Sequence, residues 1–204
     1  MTTEKLRRSV LPANGPVPAD VLPFNTYQAE LQNVASLTSD TSLLSIFTNH
    51  HPLLAFTAGS PPTGGNPALL SVMSATYPTA YYPPGVGLAL HGHVHDFQAI
   101  NFASGHPATL VAGIGGDNLD AALPDPFPTG VLPAAGTVLD KITYSNTFGF
   151  LVMDRVGAKQ WKFTAFRRDG SIMTVCNMLT TPFLGSGDPT PGRQISCSTT
   201  GNIL

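Results

Sequence analysis

The chain has 204 residues, enough for one domain with a substantial buried core, and its 42% hydrophobic against 11% charged residues sets it apart from disordered tails and polyelectrolytes. A formal net charge of -2 with ten Lys and Arg offers no basic stripe for a nucleic-acid backbone, so nucleic acid is excluded as an expected partner. No apolar run approaches the roughly 20 residues that cross a bilayer, and Met1 to Lys5 lead into no apolar leader core, so neither a membrane nor a signal peptide is expected.

Residues 1 to 24 hold four prolines and a Gly15-Pro16 step, which predicts an extended N-terminal segment. From Asn25 or Thr26 as N-cap, Tyr27, Leu31, Val34 and Leu37 recur at helical spacing and predict a helix ending near Ser39. A buried strand is expected over Leu43 to Thr48, then a loop over Ala58 to Gly65. Pro67 suits a first helical position and opens a helix through Ala75. Pro78 to Gly85 reads as a second loop, with Tyr81 and Tyr82 as surface packing or a pocket mouth.

Strands follow at Val86 to Leu90, Phe97 to Phe102 and Ala108 to Ala112. Pro124 to Gly136 is a proline-rich connection. Thr147 to Met153, Gln160 to Arg167 and Ser171 to Asn177 then read as three antiparallel strands joined by turns at Val156-Gly157 and Asp169-Gly170. Residues 181 to 204 are expected to form a loose tail, leaving residues 25 to 180 as the body of the domain. Cys176 and Cys197 are open to two readings, one disulfide in an exported protein or two separate thiols.

All six histidines fall between His50 and His106, five of them in His50-His51-Pro52 and His91-Gly92-His93-Val94-His95, with Asp96 next. Neutral imidazole offers one ring nitrogen to a cation while the other donates to a supporting acceptor. Alternate residues of an extended chain point the same way, so His91, His93 and His95 can share a side, and Gly92 lets the backbone pass close to what the rings hold. His106, before Pro107, reads as a loop residue.

Gly92-His93-Val94-His95 resembles the Gly-His-x-His signature of the calcineurin-like metallophosphoesterases, which include the purple acid phosphatases. Thr48-Asn49-His50-His51-Pro52-Leu53 resembles the preceding strand-end histidine motif, and Gly113-Ile114-Gly115-Gly116 the glycine turn that follows. The resemblance covers about residues 25 to 180 and implies an α/β fold, half of a layered α-β-β-α sandwich whose C-terminal part is rich in mixed and antiparallel strands. It also implies hydrolysis of a phosphate ester at divalent or trivalent ions, zinc, iron or manganese, with His50 and His93 on one ion and His95 on the other. His51 is then left as candidate proton donor, and Asp96 and His91 as supports that orient the ligands.

The family's upstream Asp-x-His and Gly-Asn-His motifs are absent, and with them the bridging carboxylate. Gly116-Asp117-Asn118-Leu119-Asp120 fits a Gly-Asp-x-x-Asp pattern but lies after the histidines, out of family order, and is read as coincidence. The chain therefore resembles a C-terminal half, holding two ions if a complementing chain, a second copy or a longer product completes it, and one or none alone. The alternatives are a non-catalytic metal-binding or interaction protein and an unrelated one-metal histidine hydrolase. An incomplete fold also predicts exposed sheet edge and self-association.

Overall fold

The computed structural model describes residues 18–40, 43–158, 160–179 and 193–203. The described residues form a mixed α/β domain of two helices and mostly strands. Helix α1, Pro18–Leu37, begins earlier than the periodicity suggests. Pro18 stands at its start, where a missing N–H costs nothing, so residues 18–24 are helical rather than extended. Strand β1, Ser45–Thr48, the short hairpin β2 (Phe56–Thr57) and β3 (Thr63–Gly64), and helix α2, Pro67–Thr76, follow. Asn66 caps α2, its side-chain oxygen accepting the N–H groups of Ala68 and Leu69 at 3.0 and 3.2 Å.

Strands β4 (Val86–His91), β5 (Phe97–Phe102) and β6 (Ala108–Ala112) match the expected runs to within a residue. Almost every side chain in them is buried, which is why they read as continuous apolar runs rather than alternating ones. With β1, β7 (Leu139–Ser145) and β12 (Gly201–Asn202) they form a mixed six-stranded sheet in the order β1-β4-β6-β5-β7-β12. The pairs β1/β4, β4/β6 and β7/β12 are parallel; β5 runs antiparallel to both β6 and β7. Strands β8 (Gly149–Gly157), β9 (Gln160–Arg167), β10 (Ile172–Leu179) and β11 (Ser196–Cys197) make a second, wholly antiparallel sheet in the order β11-β10-β9-β8.

Two apolar cores result. The first joins Leu31 of α1 and Ala68, Val72 and Met73 of α2 to Ala89, Ile100, Phe102 and Ile142 on one face of the six-stranded sheet. The second joins Leu88, Phe97, Ala99 and Leu110 on the opposite face to Phe163, Ala165, Cys176 and Met178 of the antiparallel sheet. On that second sheet Phe150 and Ile172 remain 48% and 56% exposed, and the Phe150 ring stacks on Phe166 with centroids 5.1 Å apart.

The expectation of a loose tail fails over residues 193–203. Ile195 and Ile203 are buried in the second core, and Asn101 exchanges hydrogen bonds of 2.6 and 2.8 Å with the Ile195 backbone. Cys176 and Cys197 are bonded, fastening β10 to β11. Residues 180–192 and the segment 1–17 lie outside the described residues. Among those described, no helix is long and apolar enough to cross a membrane.

Candidate metal centre

Parallel strands β1 and β4 are neighbours, with Thr48 opposite Leu90, so both deliver their following loops to the same edge of the sheet. That is the place where open α/β sheets present ligands. The pairing continues past the strands: Asn49 N–H donates to Leu90 O at 3.3 Å and Gly92 N–H to His50 O at 3.1 Å. Two histidine loops from distant sequence are thereby held side by side. His50, His51 and His93 converge, each offering a ring nitrogen, and these nitrogens lie within 4.8 Å of one another. The His51 and His93 ring centroids are 3.8 Å apart, and His50 lies 5.1 and 5.2 Å from the two.

The assembled trio differs from the predicted one. His51 takes the third place, and His95 stands outside the group. His95 donates its backbone N–H to Asp120 Oδ2 at 2.8 Å, while Asp120 returns its N–H to His95 O at 3.2 Å. The His95 Nδ1 atom is buried with no hydrogen-bond partner among the described residues.

Alternation fails here because the turn is not extended: His93 has φ +64°, the left-handed region that non-glycine residues seldom occupy. Such a conformation persists only where the surroundings enforce it. The glycine requirement lies elsewhere than expected. A Cβ on Gly92 would meet the His50 ring at an ordinary 3.5 Å, whereas one on Gly113 would stand 1.9 Å from the Val94 carbonyl oxygen. Gly113, in the glycine turn, is the residue that lets the Gly-His-x-His loop close down on it.

His91 and Asp96 are buried supports, but not as predicted. His91 Nδ1 lies 3.2 Å from the Asn49 carbonyl and Nε2 3.3 Å from the Tyr82 hydroxyl, tying β4 to the loop that carries His50. Burial drives its pKa down to about 4, against the smaller opposing effect of the Asn49 carbonyl, so it stays neutral. Asp96 accepts from the Gln98 amide at 3.0 and 2.9 Å, where the sequence predicts an imidazole donor. Burial raises the Asp96 pKa to about 7, the Gln98 donor opposing and the nearby Asp120 charge adding to the rise. Tyr82, placed by the sequence in a surface loop, is buried, and so is His106, which bonds Ser104 and the Thr79 carbonyl.

Burial lowers the pKa of His51, and the charges of His93 and His50 lower it further. His93 is lowered in the same way, by burial and then by His50, with Asp120 pulling upward. Neutral imidazole is the form that binds a cation. Zinc bound at about 2.1 Å to tetrahedrally placed nitrogens separates them by roughly 3.4 Å, so the 4.8 Å spread needs only a modest closing of the exposed His50 and His93 rings on half-buried His51. Three neutral imidazoles suit one such ion; they do not balance the charge of two. Asp120 and Gln98 are the contributors that sequence reasoning missed. Asp120 was passed over because its motif lies out of family order, although its position after the glycine turn was the available signal.

No protein-family model matches the chain, and no curated protein matches it.

Proposed function

We propose that this chain carries part of a calcineurin-like phosphoesterase site and belongs to a metal-dependent hydrolase of phosphoric esters. The single observation that carries the reading is the meeting of His50, His51 and His93 at the ends of two parallel strands. The three motifs quoted from the sequence agree with it. The arrangement of the two cores supports the finer fold reading, half of an α-β-β-α sandwich. A second helical layer would then cover the face where Phe150 and Ile172 are exposed, supplied by a complementing chain, a second copy or more of the same product.

Zinc, iron or manganese bound at the trio would supply Lewis acidity toward a phosphoryl oxygen. The chain's own contribution is to hold three neutral rings in place. His91 fixes the loop of His50 from beneath, Asp120 clamps the turn of His93 and His95, and His51 serves as a ligand in place of the proton donor. The Cys176–Cys197 bond favours action in an oxidising compartment.

The test is a metal titration followed by hydrolysis of an aryl phosphate monoester and diester. Metal binding with turnover that His93→Ala abolishes is the expected result. One ion per chain with no turnover favours the second reading, a non-catalytic metal-binding protein. The absence of any carboxylate from the converging trio is the observation on that side.

A further inference from the structure

Beside the imidazole trio lies a cleft of about 500 Å³, lined by His93 and Val94 and walled by the β2–β3 hairpin, the start of α2 and Pro133. Its size is within the ordinary range for small-molecule sites. Apart from His93, already assigned to the metal trio, none of its side chains carries an ionisable group. The α2 terminus offers little to an anion, because Asn66 already accepts the N–H groups of Ala68 and Leu69.

What remains is apolar surface and hydroxyl. Leu70 and Pro133 form the greasy part, and the Thr57 and Thr63 hydroxyls, 2.6 Å apart, bond one another on the wall. The wall is backbone packed on backbone: a Cβ on Gly64 would stand 1.9 Å from the Pro133 carbonyl oxygen, and one on Gly65 2.4 Å from that of Leu53. A wall packed so closely is a fixed shape, with no room for any side chain at Gly64 or Gly65. A second cavity of about 280 Å³, lined by Asn101, Lys141 and Cys197 among others, contains no histidine.

We infer that this cleft holds the alcohol part of the ester and selects one uncharged ring, aryl or sugar, against charged alcohols. The inference deepens the hydrolase reading and rests on it for the word ester. A carboxylate or ammonium brought into such a wall loses water without gaining a partner.

The experiment uses the metal-loaded 204-residue chain with phenyl phosphate and its 4-carboxy and 4-aminomethyl derivatives, and separately follows phenol binding by ligand-observed NMR. Charged derivatives should lose at least about ten-fold in kcat/KM. Leu70→Trp, which fills the cleft, and Thr63→Glu, which puts a charge on an exposed part of its wall, should each abolish phenol binding while leaving metal stoichiometry unchanged. Phenol bound by the parent and by neither variant, without turnover of any ester, supports the cleft and sinks the hydrolase reading. Turnover indifferent to leaving-group charge and to both variants overturns the cleft and leaves the hydrolase. Absence of both turnover and phenol binding overturns both.

Discussion

Replacing Asp96 by Asn isolates the cost of keeping a carboxyl group under the histidine loops. The Asp96 pKa is raised from 3.8 to about 7, chiefly by burial. A raised carboxyl means that the folded chain keeps a proton the unfolded chain has released. Its contribution is full below about pH 4 and is lost as pH climbs through about 7. At 1.36 kcal/mol per pKa unit the whole effect is on the order of 4 kcal/mol, of which ~3 kcal/mol falls between pH 5 and pH 8. His91 works in the opposite sense: lowered from 6.5 to about 4, it gives stability at neutral pH that is lost as pH falls through that range. The two nearly cancel in the parent curve, so the informative quantity is the difference between variant and parent. Asn retains a carbonyl to accept from Gln98. Urea unfolding of both proteins in the presence of a chelator should show Asp96→Asn gaining ~3 kcal/mol relative to the parent between pH 5 and pH 8. A difference that is the same at both pH values would refute the placement of a protonated carboxyl there.

Competition with a chromophoric chelator should show His51→Ala and His93→Ala each weakening metal binding by at least about 100-fold and His95→Ala by less than about ten-fold; an equal loss at His95 would reinstate it as a ligand. Gly113→Ala should cost about 3 kcal/mol in urea unfolding, because its Cβ meets a backbone carbonyl that cannot swing aside, whereas Gly92→Ala should cost less than about 1 kcal/mol. Paired Cys176→Ala and Cys197→Ala substitution should lower stability by about 3 kcal/mol, from the chain entropy of a closed loop with a sequence separation of 21; an unchanged urea midpoint would mean that strand pairing alone holds β11.

The fold was most legible where burial leaves a single mark. Strands β4, β5 and β6 stand in the sequence as uninterrupted apolar runs, and Asn66-Pro67 announces α2 through its cap and first-turn proline. Strand β7 escaped notice because Asp140 and Lys141 break its pattern before its buried half begins. The segment after residue 193 was misread because polar, glycine-containing sequence looks unstructured until Ile195 and Ile203 find a core built by residues nearly a hundred positions away. At the site, the family resemblance paired His50 with His93, whose rings do stand near one another, while strand alternation put His95 on the same side as His93, where the structure leaves it outside the group. A positive φ at His93 turns the chain out of register with its own alternation, and residue type gave no hint of it.

Strands β11 and β12, although only two residues long each, complete opposite sheets, one beside β10 and the other beside β7. Among the described residues, the antiparallel sheet does not reach its full width before residue 197, nor the six-stranded sheet before residue 202. A nascent chain must therefore hold both edges open until these residues are made, and such nonlocal closure is slow.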